Sequence, residues 1–416
     1  MVIITNIKKL VQVEETLYAK VCGADMDSLA CIDNAFLLIE DGLIKDFGPM
    51  AQLPAVGANT DVIDAGGGMV FPSFCDSHTH IVYAGSREIE YIDKIRGLSY
   101  EEIAKRGGGI LNSAKRLHDA SEDELYAQAI ERINEIIRFG TGAVEIKSGY
   151  GLNTADELKM LRVIRRLKAD TPLTIKATFL GAHAVPAEYK GRQSDYVDLI
   201  INEMIPQIAA EELADYIDVF CEQGFFTVED TERILMAGLH YGLIPKVHAN
   251  QMSCSGGIQA GVKYGAISVD HLDYTGEEEI KCLLASDTMP TLLPGSNFFL
   301  AVAYPPARTM INAGLPVAIA SNYNPGSSPA GDMKFMLSLA CIQMKMTPEE
   351  AINAATINSA YAMDISDTHG SIARGKVANV IITKPIPTCA FMPYAFTTPL
   401  IGKIILKGIL IFDEIV

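Results

Sequence analysis

Short apolar segments recur along the middle of the chain, near residues 70–76, 143–147, 174–181, 216–221, 244–248, 267–271, 288–293 and 316–321, and alternate with helix-period stretches. This alternation is the strongest constraint on the fold. Strands regularly followed by helices form a parallel sheet covered by those helices. Eight such strands over roughly 300 residues predict a (β/α)8 TIM barrel. Ser121-x-x-Glu124 and Thr154-x-x-Glu157 read as capping boxes that start two of the helices. Leu125, Ile130, Ile133 and Ile137 follow the first at helical spacing, and Leu158, Leu161, Ile164 and Leu167 follow the second.

Both chain ends have a different texture. Ala35 to Ile39 and Leu43 to Phe47 flank Glu40-Asp41-Gly42, which predicts a hairpin. Asp61 to Asp64 reads as another strand, and Val380 to Thr383 and Lys403 to Phe412 are Ile-rich β runs. The expected organisation is a small β-sandwich domain built from both termini, residues 1–72 and 373–416. It accompanies a barrel domain of residues 73–372.

Charge narrows the function. Asp and Glu total 51 against 34 Lys and Arg, a net charge of -17. Nucleic acid and anionic membrane surfaces both call for clustered positive charge, so neither is an expected partner. No run approaches the roughly 18 apolar residues of a spanning helix, and Met1 to Leu10 lacks a secretory apolar core. The 8 cysteines are scattered without a CxxC pair, which fits a reducing compartment and a cytoplasmic protein.

Polar residues at the ends of barrel strands are where chemistry gathers in this architecture. Of 8 histidines, His78, His80, His183, His248 and His271 fall there, whereas His118, His240 and His369 sit in helix or loop contexts. His78 and His80 are two apart on an extended segment, so both rings face one side. Any one of these alone is an ordinary structural histidine, but together at one mouth they point to a shared task. Three imidazoles and an oxygen ligand suit one divalent ion, zinc or iron, with a position left for water. Metal-assisted hydrolysis is the reading that follows. A metal-binding barrel without catalysis competes with it.

These residues lie in segments that resemble the amidohydrolase superfamily: Phe71-Pro-Ser-Phe-Cys-Asp-Ser-His-Thr-His80, then single later histidines, then Ser371-Ile-Ala-Arg-Gly-Lys-Val-Ala-Asn-Val-Ile-Ile-Thr383. Further similar segments are His80 to Glu88, Gly107 to Ile110, Glu145 to Leu152, Thr178 to Pro186, Asp218 to Glu222, and Asn324 to Ser327. Within the superfamily these are similar to the members that open the ring of 4-imidazolone-5-propanoate to give N-formimidoyl-L-glutamate. The resemblance implies that reaction, a small carboxylate-bearing substrate, one zinc or iron ion and a homodimer. It also implies His78, His80 and His248 as metal ligands, and His271 as the acid, base or polarising residue. Arg87 would grip the propanoate, Tyr150 and His183 would add hydrogen bonds, and Gln251 would touch the ring. Asn324, Gly326 and Ser327 would hold the glutamate-like end of the product.

Elementary chemistry supports Arg87, because arginine binds carboxylate in a bidentate fork. An ion pair with Glu88 or Glu90 is the plainer role for it. Likewise, Asn324 to Ser327 could be merely a turn, and Glu145 with Lys147 an ion pair inside the barrel. One position departs from the pattern. Asn322 stands where the superfamily carries an aspartate that ligates the metal and accepts a proton. Asparagine can offer a carbonyl oxygen but cannot act as a base. Impaired turnover, or a substrate-binding protein that no longer turns over, follows as an expectation. Another hydrolase acting on a cyclic amide or amidine with a carboxylate is the remaining alternative. Asn379, where the superfamily usually has Asp, is expected to matter for structure only.

Overall fold

The computed structural model describes residues 1–55, 57, 59–98 and 108–414; Gly107, which opens the Gly107 to Ile110 segment, lies outside the described residues. The N-terminal part supplies β1 (Val2–Val11), β2 (Val13–Glu14), β3 (Cys31–Glu40), β4 (Leu43–Pro49), β5 (Asp61–Asp64) and β6 (Met69–Pro72). The barrel strands are β7 (Phe74–Thr79), β8 (Thr141–Lys147), β9 (Thr174–Ala182), β10 (Tyr216–Cys221), β11 (Ile244–Ala249), β12 (Ser268–His271), β13 (Met289–Leu292) and β14 (Ala318–Ile319). The chain closes with β15 (Ile372–Ala373), β16 (Val380–Thr383), β17 (Ile401–Leu406) and β18 (Ile409–Asp413).

Strands β7 to β14 pair in sequence order, each parallel to the next. The ring closes between its last strand and its first. The Asn322 N–H donates to the His78 carbonyl at 3.0 Å and the His80 N–H to the Tyr323 carbonyl at 2.9 Å. A parallel bridge pairs Thr79 with Tyr323. This is the expected (β/α)8 barrel, and its seam runs through three of the candidate site residues, His78, His80 and Asn322.

Among the described residues, both chain ends share a separate eight-stranded sheet, ordered β18-β17-β16-β6-β1-β3-β4 with β5 beside β1. Alternate residues serve two cores. Ile4, Leu37, Val70, Val380 and Ile382 pack together within the sheet. Phe71, Ile381 and Ile404 join the cluster that contains barrel residues such as Phe74 and Ile133. Burial on both faces explains why these strands read as unbroken apolar runs.

The same effect hid two boundaries. The run expected as one strand over 70–76 is two strands in two sheets, β6 and β7. At the crossing the Ser73 N–H bonds the Asn379 carbonyl at 2.9 Å, and the Phe74 N–H bonds that of Gly140 at 2.9 Å. The run expected over Lys403 to Phe412 is the hairpin of β17 and β18, turned by Lys407 and Gly408 at φ 50° and 76°. The expected hairpin of β3 and β4 turns at Asp41 and Gly42, both at positive φ.

The Ser121 capping box forms in both directions at the start of helix Glu122–Arg138. The second expected box does not form. Asn153 caps helix Thr154–Asp170 through the Asp156 N–H, which leaves Glu157 for another role. No helix among the described residues is long and apolar enough to cross a membrane.

Candidate active site

Four strand ends bring the five candidate histidines together. His78 lies in β7 and His80 just after it; His248 lies in β11, His271 ends β12, and His183 follows β9. Ring centroids are 4.4 Å apart for His78 and His248, 5.3 Å for His78 and His80, and 5.4 Å for His248 and His271. His183 stacks on His80 at 5.2 Å. The ligating atoms of His78, His80 and His248 lie within 4.8 Å of one another. The backbone leaves these strands through strained residues: His271, Leu272, Asn250 and Asn322 have φ of 85°, 62°, 53° and 52°. Such strain is concentrated where a site has to be held in a set geometry.

Carboxylates behind the rings set their orientation. Asp270 Oδ2 lies 2.6 Å from His78 Nδ1. Asp218 Oδ2 lies 3.0 Å from His248 Nδ1, a close contact whose geometry falls short of a hydrogen bond. A carboxylate only accepts, so His78 carries its proton on Nδ1 and turns the Nε2 lone pair to the mouth. His183 Nδ1 donates to the Gly149 carbonyl at 2.9 Å, so its Nε2 is also an acceptor. Burial pushes the pKa of His78, His80 and His271 well below the ordinary value, and that of His183 to about 3. Neutral imidazole is the ligating form.

These buried polar atoms fit a metal. His78 Nε2, His80 Nδ1, His248 Nε2 and Asn322 Oδ1 have no hydrogen-bond partner among the described residues. Several orphaned acceptors at one point would be expensive unless something positive joined them. Asn322 donates through Nδ2 to Ser296 Oγ at 2.7 Å, which turns its carbonyl oxygen, and not its amide nitrogen, toward free space.

Above the imidazoles opens a cavity of about 1080 Å³. All the site residues expected from sequence line it except His78, which lies fully buried at its floor. Arg87 reaches in from the loop after β7 and pairs with Glu90 through Nε at 2.8 Å and Nη2 at 2.5 Å. The pair is an ion pair, but a buried one: each side chain is only 9% exposed. Nη1 is left facing the cavity, where Gly326 makes room; a Cβ there would fall 2.1 Å from it.

Tyr150 sits on the loop after β8, and burial raises the pKa of its hydroxyl, which therefore stays a donor. Asn324 spends its side chain on its own loop. Its Oδ1 accepts from the Gly326 and Ser327 N–H groups at 2.8 and 2.9 Å, and its Nδ2 donates to the Asn322 carbonyl at 2.6 Å. Gln251 lines the cavity wall.

Several residues outside the expected site set also shape it. Glu157 accepts from the Gly149, Gly151 and Leu152 N–H groups at 3.0, 2.8 and 2.9 Å and so shapes the Tyr150 loop. Glu90 also accepts from the Gly109 N–H and from Asn112 Nδ2, each at 3.1 Å. Asp273 lines the cavity with an unpartnered oxygen, and burial raises its pKa to about 7. Asp270 had only its place beside His271 as a hint, and Asp218 only its place in the Asp218 to Glu222 segment.

A parallel eight-stranded barrel with clustered imidazoles at its C-terminal mouth, joined to a sheet made from both termini, defines an amidohydrolase. The family model described as "Amidohydrolase family" matches residues 248–402. Solved structures share the architecture at low identity. An atrazine chlorohydrolase variant from Arthrobacter aurescens, complexed with zinc and atraton, superposes with TM-score 0.74 at 14% identity, covering 100% of this chain and 96% of its own. A 5-methylcytosine deaminase from Klebsiella pneumoniae gives 0.73 at 16% identity, covering 98% of each chain.

Curated relatives are far more similar. The imidazolonepropionase of Flavobacterium johnsoniae is 57% identical over 98% of both chains. That of Christiangramia forsetii is 56% identical over 98% of this chain and 99% of its own. The chain belongs to the imidazolonepropionase family.

Proposed function

We propose that this chain hydrolyses 4-imidazolone-5-propanoate to N-formimidoyl-L-glutamate with one divalent metal, zinc or iron. The observation that carries the reading is the convergence of three imidazoles at the floor of a cavity that a buried arginine also lines. One is a hydrolytic centre and the other a carboxylate receptor. His78, His80 and His248 would hold the metal, with Asn322 Oδ1 as a neutral fourth ligand. When bound, the metal would polarise the ring carbonyl and lower the pKa of its water toward ~7.

The chain's own groups would do the rest. Arg87 Nη1 binds the propanoate, and Glu90 keeps the guanidinium aimed. Tyr150 donates to the substrate, His183 Nε2 accepts from it, and Gln251 contacts the ring. Water adds to the ring carbonyl carbon, the bond from that carbon to the ring nitrogen breaks, and the nitrogen takes a proton. The carbonyl carbon becomes the second carboxylate of the product. His271, kept neutral by burial, polarises the carbonyl and passes the proton. The loop from Asn324 through Gly326 to Ser327 receives the new carboxylate.

Asn322 limits this machinery, because a neutral amide takes no proton from water. Loss of the ring's ultraviolet absorbance tests the proposal, read for this chain and for Asn322→Asp after zinc loading. The variant is expected to turn over about 10²- to 10⁴-fold faster. No turnover by either, with metal bound, would overturn the substrate assignment. Turnover by the variant alone, with parent and variant binding substrate equally, would identify the present chain as a binder. That second reading is favoured by the missing base.

A further inference from the structure

Beneath the imidazoles lies a cluster of five charged side chains, Glu145 and Lys147 of β8, Asp218 of β10, Lys246 of β11 and Asp270 of β12, all fully buried. Lys147 Nζ lies 2.5 Å from Glu145 Oε1, 2.8 Å from Asp218 Oδ2 and 3.7 Å from Asp270 Oδ2. Lys246 donates to Glu145 Oε2, and to the carbonyls of Ser77 at 3.2 Å and Ala362 at 3.1 Å. Buried ion groups of this kind are often no more stabilising than apolar residues of the same volume, so stability gives a weak account of this one.

Its connections give a better one. Asp218 Oδ2 and Asp270 Oδ2, the oxygens that face Lys147, are also the oxygens that face Nδ1 of His248 and His78. The free Asp218 oxygen accepts the His248 backbone N–H at 3.1 Å, and the free Asp270 oxygen accepts Ser268 Oγ at 2.6 Å. One ammonium thus anchors two carboxylates, and each carboxylate anchors one imidazole. Without the ammonium, the charges of Asp218 and Asp270 would repel in a medium of low dielectric, with Lys246 left to offset that of Asp270. Three carboxylates against two ammoniums also leave one negative charge below the histidines.

We propose that Lys147 is the positioning residue of the metal centre, fixing the rings of His78 and His248 through the shared oxygens of Asp270 and Asp218. The cluster's unbalanced charge adds to the pull on a cation. The inference rests on the reading that these histidines hold a divalent metal. Burial opposes the Lys147 charge, but Asp218, Glu145 and Asp270 outweigh it and hold the ammonium above the ordinary lysine range.

The test is zinc affinity by chelator competition on folded protein, with the visible spectrum of the cobalt(II)-loaded form. Lys147→Met keeps the side-chain length without the charge. It is expected to bind zinc about ten- to hundredfold more weakly than the parent and to shift the cobalt bands. Asp270→Asn and Asp218→Asn, which preserve volume, should each weaken zinc binding as well. If Lys147→Met fails to fold, those two variants decide the question by the same limits. Folded variants that bind zinc within about threefold of the parent, with unshifted cobalt bands, would overturn the proposal, since outer-sphere partners normally matter more than that. A parent chain that takes up no metal would instead remove the metal-centre reading, and this proposal with it.

Discussion

Arg87 gives Nε and Nη2 to Glu90 and leaves Nη1 to the cavity. Removing the guanidinium should therefore act on substrate binding more than on chemistry. Arg87→Ala is expected to raise KM at least about tenfold, as loss of a charge-assisted bond worth roughly 1.5–3 kcal/mol would. Its metal content should be unchanged. Glu90→Gln should raise KM less, because the arginine remains but loses its aim. Gly326→Ala should resemble it, since the added methyl would meet Nη1. Steady-state kinetics of the three beside the parent decide this, and an unchanged KM in Arg87→Ala would remove the clamp.

The histidines were readable in the sequence because a strand's period of two and a barrel's strand ends place them without knowledge of tertiary contacts. The roles of Asp218 and Asp270 were not. Their partners are fixed by packing between strands, and Asp270 meets His78 across 192 positions of sequence.

At the scale of elements, the loop after β8 shows how one side chain substitutes for secondary structure. Glu157 takes three N–H groups of one loop, those of Gly149, Gly151 and Leu152, that would otherwise be buried and unsatisfied. Each such loss costs about 1–3 kcal/mol. Glu157→Ala should therefore destabilise by at least about 3 kcal/mol in denaturant unfolding and loosen the Tyr150 loop, raising KM. A loss below about 1 kcal/mol would mean that water replaces the carboxylate there.

The sequence around Glu157 has the pattern of a capping box, yet the box does not form. Asn153 competes for the cap one residue earlier, and Thr154 bonds Glu203 at 2.5 Å instead. Eight barrel strands were visible as apolar runs, but the passage from β6 to β7 was not. Both strands are buried on both faces, so neither hydrophobic period nor a polar gap marks the step through Pro72 and Ser73.

For the whole molecule, metal and protons are linked to folding. The orphaned acceptors gather at the barrel seam, where Asn322 meets His78. A metal there should stabilise the closed ring, by about 2.7 kcal/mol at free zinc a hundred times Kd. Chelation should lower Tm accordingly, as calorimetry would register.

With metal removed, buried acids and histidines oppose each other in their pH dependence. Burial depresses His183 to about 3 and His369 to about 4, so the unfolded chain binds more protons there and stability rises with pH toward 6.5. Asp273, raised to about 7 by burial with the nearby Glu222 charge adding to it, works the other way. The folded chain retains a proton that the unfolded carboxyl has lost above its ordinary pKa near 3.9. Its contribution is full below that value and is lost as pH rises through about 7. Asp273→Asn removes only this component. The unfolding free energy of the metal-free parent, minus that of the variant, should therefore fall steadily from about pH 4 to about pH 7. A difference that stays flat across that range would mean that Asp273 is ionised in the folded cavity.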